Sequence, residues 1–94
     1  MRVEWHPLAR ADLAELVAYV ATHDVNAAYR VHGEIRKQTE MLATYPESGR
    51  PGRVRRTREL VVTGTPYLVA YRVIDDIVTI LRVLHGARQW PQKL

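Results

Sequence analysis

Three segments rich in β-branched and aromatic residues follow one another in the second half of the chain, at residues 58–62, 67–74 and 77–85, separated by Thr63-Gly64-Thr65-Pro66 and by Asp75-Asp76. Runs of this kind with turn residues between them predict three consecutive antiparallel strands. If Asp75 and Asp76 make a two-residue loop, Ile74 lies opposite Ile77, and the side taken by every residue of the hairpin follows. One face then carries Tyr67, Val69, Tyr71, Val73, Val78, Ile80, Arg82 and Leu84, and the other carries Leu68, Ala70, Arg72, Ile74, Ile77, Thr79, Leu81, Val83 and His85. Neither face is polar. One apolar face can be covered by the chain's own helices, so the second is expected to be covered by another molecule.

The preceding half supplies the first cover. Residues 2–5 form a short segment able to pair into the later sheet. Pro7 suits a first helical turn, and Leu13, Leu16, Val17 and Val20 then recur at helical spacing, which predicts an amphipathic helix over residues 8–22. After His23-Asp24-Val25-Asn26, where Asp24 or Asn26 can cap, a second stripe of Ala28, Val31, Ile35, Leu42 and Tyr45 continues. Gly33 within it is expected to allow close approach of the first helix. Two helices joined so briefly run antiparallel. The expected fold is α+β: an N-terminal strand and an antiparallel helical hairpin packed on one face of a small, mainly antiparallel sheet, in the order β-α-α-β-β-β, with residues 1–94 as a single domain.

Ninety-four residues leave no room for a second domain, and 47% apolar with 26% charged residues is the balance of a globular protein. The absence of cysteine excludes a disulfide scaffold and thiol catalysis. The start, Met1-Arg2-Val3-Glu4-Trp5, lacks a long apolar run, so a cytoplasmic protein with no membrane contact is expected. The net charge of +4 comes from arginine, since Lys37 and Lys93 are the only lysines. It is densest where a turn-rich loop, Tyr45-Pro46-Glu47-Ser48-Gly49-Arg50-Pro51-Gly52, gives way to Arg53, Arg55, Arg56 and Arg58. Clustered guanidiniums stay solvated or meet an anion, either nucleic-acid phosphates or an acidic protein.

No glycine-rich phosphate loop and no serine-centred elbow is present, and His6, His23, His32 and His85 lack metal-ligand spacing, so neither cofactor nor metal is expected. His85, at the end of the last strand, suits either a general acid or base or a structural hydrogen bond to the turn at Gly86. Arg82, which the parity points toward the core, needs a partner there, and Glu59 is the expected one.

The order of elements, together with Pro46-Glu47-Ser48-Gly49-Arg50-Pro51, Arg58-Glu59-Leu60, Tyr67-Leu68-Val69-Ala70-Tyr71-Arg72-Val73 and the ending Ile80-Leu81-Arg82-Val83-Leu84-His85-Gly86-Ala87-Arg88, resembles the RelE/ParE superfamily of toxins from bacterial type II toxin-antitoxin modules. The resemblance implies a growth-inhibiting toxin neutralised by a cognate antitoxin, whose acidic segment would suit the apolar second face and the basic loop. The expected antitoxin-binding residues are Leu68, Ala70, Ile77, Leu81, Val83, Arg53, Arg55 and Arg56. RelE-like members cut messenger RNA on the ribosome. Aligning on Tyr71 and Val73 puts Leu68 where those nucleases carry an arginine, and their terminal tyrosine is missing, with Trp90 nearby and unable to transfer a proton. The Leu-His-Gly-x-Arg ending looks like ParE, whose members poison DNA gyrase through protein contacts. A non-enzymatic, ParE-like gyrase inhibitor is therefore expected, with Arg72, His85, Arg88 and Trp90 clustered as toxicity residues. The alternative is a ribosome-dependent mRNA interferase using Arg72, His85 and Arg88 with the loop arginines.

Overall fold

The computed structural model describes residues 1–87 and 91. The elements are β1 (Arg2–Trp5), α1 (Pro7–Ala21), α2 (Val25–Glu40) closing in a 3-10 turn (Met41–Ala43), β2 (Arg50–Pro51), β3 (Arg58–Val61), β4 (Tyr67–Ile74) and β5 (Ile77–His85). They build one five-stranded sheet in the order β1-β5-β4-β3-β2. β1 lies parallel to β5 and every other pairing is antiparallel. The expected α+β order holds, with β2 added. That two-residue strand reads as loop in the sequence because its second residue is Pro51, which is tolerated only on an edge.

Each helix starts where local chemistry provides a partner for its free N–H groups. His6 Nδ1 accepts from the Leu8 N–H at 3.1 Å with Pro7 beginning the first turn, and Asp24 accepts from the Ala27 N–H at 3.1 Å. Of the two cap candidates for α2, Asp24 is the one used. Gln38 then ties α2 to the β3–β4 loop, accepting from the Thr63 N–H at 2.9 Å and donating to its carbonyl at 3.0 Å. Gly64 turns that loop at φ 84°, a conformation few residues with a side chain adopt.

The core lies between the helices and one sheet face. Leu13, Val31, Ile35 and Leu42 meet Val69, Tyr71, Val78, Ile80 and Val83, and each large apolar side chain buried there contributes about 1.5–3 kcal/mol. Gly33 takes no part in this packing. A Cβ placed on it would have nothing within 4 Å, so it does not serve the close helix approach expected of it.

The β4–β5 hairpin closes as expected through Asp75 and Asp76, both at positive φ (53° and 61°), with Ile74 opposite Ile77. Parity holds through Tyr71 opposite Ile80 and then breaks, because Ala70 pairs with Arg82 and leaves Leu81 as an extra residue. This β-bulge reverses the sides of everything beyond it on β5. Val83 joins the helix-facing core, and Arg82 shares a rung with Ala70 instead of pointing among core residues. The second face also differs from expectation. Leu68 (5%), Ala70 (0%) and Leu81 (6%) are already buried within the single chain, so they do not form an open apolar surface.

Replacing Gly33 by alanine should raise the unfolding free energy by about 1 kcal/mol, the helix-propensity difference, because nothing in the surroundings resists the added methyl. Urea denaturation followed by circular dichroism measures it, and a loss of stability would show that the glycine has a packing role after all.

Candidate functional site

Two surfaces concentrate charged and polar side chains, and they lie on opposite edges of the sheet. The first is a groove of about 400 Å³ between α1 and the last half of β5, lined by Asp12, Glu15, Leu16 and Tyr19 on one side and by Tyr67 and residues 82–85 on the other. It exists because β1 pairs with Ile77 to Ile80, leaving the outer edge of β5 beyond Ile80 without a strand among the described residues. Asp12 closes part of that edge. Its carboxylate accepts from Arg82 Nε at 2.7 Å, from Arg82 Nη2 at 3.0 Å and from the Val83 N–H at 2.9 Å. The two-pronged pair and a desolvated backbone donor share one anion. The Asp12 hydrogen bond outweighs desolvation and holds the Arg82 guanidinium above its ordinary value. Asp12, not Glu59, is therefore the partner of Arg82. Although the bulge brings Arg82 onto the rung of Glu59, the two stand two strands apart with Ala70 between them, and Glu59 is held by Arg50 and Arg53.

At the mouth of this groove His85 Nδ1 accepts from the Ala87 N–H at 3.1 Å, and its ring meets Tyr67 edge-on at 5.6 Å. In the neutral ring an accepting Nδ1 places the proton on Nε2. Of the two roles open to His85 from the sequence, the geometry supplies the structural one, a bond to the turn at Gly86.

The second surface is the β2–β3 hairpin, residues 50–59. Its anchor is Glu59, only 2% exposed, whose carboxylate accepts from the Arg53 N–H at 2.8 Å and from Arg50 Nη2 at 3.2 Å, with Arg53 Nε at 3.6 Å. On the helix side Tyr71, fully buried, fixes the loop leading into β2. Its hydroxyl donates to the Pro46 carbonyl and accepts from the Gly49 N–H, each at 2.8 Å. Arg58 Nη1 adds a bond to the Gly49 carbonyl at 2.8 Å. A Cβ on Gly49 would come within 2.6 Å of the Tyr71 hydroxyl, which is why a glycine stands there. Burial pushes the Tyr71 phenol above its ordinary value, partly opposed by the Gly49 hydrogen bond and by Arg58. Arg55 and Arg56, at the tip, are exposed.

Of the expected toxicity cluster, Arg72 and His85 are not brought together. Arg72 lies opposite Thr79, whereas His85 lies opposite Tyr67. The two rungs are five positions apart on β4, about 17 Å along the strand. Arg88 and Trp90 lie outside the described residues. Of the expected antitoxin-binding set, Leu68, Ala70, Leu81 and Val83 are buried in the chain itself, Ile77 is half-buried, and Arg53, Arg55 and Arg56 are exposed. Asp12 and Tyr71 were missed as organising residues. The first reaches its partner 70 positions away in sequence, and the second reads as ordinary core until its hydroxyl is seen. Among the described residues no three metal-ligating side chains gather, and no helix is long and apolar enough to cross a membrane.

Comparison with known proteins agrees with this architecture. The family model described as the ParE toxin of the type II toxin-antitoxin system parDE matches residues 3–90. A putative toxin, Y4kP, of Sinorhizobium fredii is 46% identical over 99% of this chain and 96% of its own length. Toxin RelE2 of Caulobacter vibrioides is 38% identical over 93% of this chain and 97% of its own. Among solved structures, one of the chromosomal ParDE toxin-antitoxin system from P. aeruginosa superposes with a TM-score of 0.80 and 27% identity, covering 90% of this chain and 95% of that one. The fold and these relatives define a toxin of a type II toxin-antitoxin module. Within that class the chain belongs to the ParE toxin family, and membership implies an antitoxin partner.

Two measurements test the anchoring described above. A double-mutant cycle of Asp12→Asn with Arg82→Leu should give a coupling energy of about 1–2 kcal/mol, whereas Glu59→Gln with Arg82→Leu should be additive. Tyr71→Phe should cost about 1–3 kcal/mol by leaving the Gly49 N–H without its acceptor. Because folding raises the phenol's pKa, its contribution is complete below the unfolded value of about 10 and is lost as pH rises through the higher folded value. Alkaline unfolding curves of the parent and of Tyr71→Phe should therefore converge above about pH 10.

Proposed function

We propose that this toxin arrests growth by poisoning DNA gyrase through protein contacts and that an acidic antitoxin segment neutralises it. The observation that carries the reading is the distance between Arg72 and His85. An RNA-cleaving site of the RelE kind needs a base or acid and phosphate-holding cations around one ribose, and these two side chains stand at different ends of the β4–β5 hairpin. Leu68, at the position where the nucleases carry a sheet arginine, is buried and cannot hold a phosphate. His85 already spends Nδ1 on the Ala87 N–H, which further weakens its case as a general base. A protein-docking toxin requires none of this assembly.

For the antitoxin, the supporting features are the groove beside α1 and the arginine hairpin with Arg53, Arg55 and Arg56. The groove offers Leu16 and Tyr19 beside an incompletely paired strand edge, and the hairpin attracts acidic chain. The apolar second face is buried at Leu68, Ala70 and Leu81 and stays open at Ile74 and Val61 near its ends, so it contributes less than the sequence led one to expect.

Purified toxin incubated with gyrase, ATP and supercoiled plasmid should yield enzyme-linked double-strand breaks once the reaction is stopped with detergent and protease, and added antitoxin should suppress them. Unaltered gyrase activity combined with cleavage of ribosome-bound message would transfer the assignment to the interferase branch.

A further inference from the structure

The ten residues 50–59 hold five arginines and one glutamate, which equals the chain's entire formal excess of +4, so the rest of the molecule is balanced. That charge sits on a hairpin held from both sides. Glu59 grips one arm from within, Tyr71 and Arg58 fix the entry at Gly49, and the Gly52 N–H donates to the Thr57 carbonyl at 2.8 Å across the base of the tip. The tip is a four-residue turn closed by the Thr57 N–H donating to the Val54 carbonyl at 3.2 Å, and its two corner residues are Arg55 and Arg56. Arg56 adopts φ 65°, at a corner that ordinarily takes glycine or asparagine. A bulky cation therefore occupies a strained position beside a second one, and neither belongs to any ion pair among the described residues.

We propose that this tip binds the phosphate backbone of duplex DNA. Two adjacent guanidiniums on a preordered turn suit sequence-independent phosphate contact. The hairpin contains no aromatic residue on which unpaired bases could stack, which disfavours single-stranded RNA. At the tip the one apolar side chain is the half-buried Val54, so what the tip offers a partner is charge. The proposal goes beyond the gyrase reading and stands or falls separately, since it concerns the toxin and DNA alone.

The test is fluorescence anisotropy of the full chain with a labelled mixed-sequence duplex between about 50 and 200 mM salt. The logarithm of the association constant should fall linearly with the logarithm of salt. Replacing Arg55 and Arg56 together by alanine should flatten the slope by about two units, whereas Arg30→Ala on the helical hairpin should leave it unchanged. Arg56→Gly is the decisive variant. It relieves the strained corner, so it should melt no lower than the parent while losing about one unit of slope. The proposal is overturned if the parent does not bind the duplex, if either tip variant keeps the parent slope, or if single-stranded RNA binds the tip more tightly than the duplex does.

Discussion

One extra residue in β5 decides how the sheet meets the helices. Without the bulge at Leu81, Arg82 would point among core side chains and Val83 would leave them, and a charge without a partner would be buried where desolvation is most expensive. With it, Arg82 reaches the α1 carboxylate of Asp12, and the Val83 N–H, freed because β1 ends at Trp5, finds the same acceptor. A short edge strand, a bulge and one aspartate are thus a single solution. Each leaves a polar group that another of the three satisfies.

The opposite edge is organised by a different device. β2 is too short to hold the basic hairpin through ladder bonds alone, so side chains from both faces of the sheet do it. Tyr71 works from the helix side and Glu59 from the other. The two residues are separated by one rung, since Glu59 pairs with Ala70 and Arg58 with Tyr71. A buried carboxylate surrounded by arginines is costly only if its partners leave, and here the backbone N–H of Arg53 holds it as well. The result is a loop whose conformation is set by the sheet.

How much of this could be read from residue order depends on the range over which each feature is specified. Strands β3 to β5, both helices and the two-residue Asp75-Asp76 loop are local, and periodicity or turn chemistry reveals them, while the cap of α2 narrows only to Asp24 or Asn26. The Asp-Asp loop is legible even though asparagine-glycine is the usual choice, because the flanking Ile74 and Ile77 leave no other residues for it. The bulge is not local. Leu81, Arg82 and Val83 alternate as an unbroken strand would, and only the tertiary demand of Asp12 shows which residue is surplus. The same limit explains why the separation of Arg72 from His85 could not be read from the sequence. Arg72 and His85 both sit on apolar-rich strands near a turn in sequence, yet an antiparallel hairpin sends those turns to opposite ends.

The division of the molecule into two polar edges constrains any neutralising chain. The α1 groove lies beside β5 and the arginine hairpin beyond β3, on the other side of a sheet whose order runs β1-β5-β4-β3-β2. Three strand spacings separate them, about 14 Å, to which the offset along the strands adds, and the molecule's longest extent is 39 Å. A segment reaching both edges by an extended route across the molecule would need on the order of a dozen residues at about 3.3 Å each. A compact domain docking at one edge would leave the other open. On the neutralisation proposed above, a long, weakly structured acidic tail would satisfy both the distance and the charge, and would carry the ordering cost that such segments meet on binding. Affinity would then come from joining two modest contacts on one chain, so losing either edge should weaken neutralisation far more than its own contact area suggests.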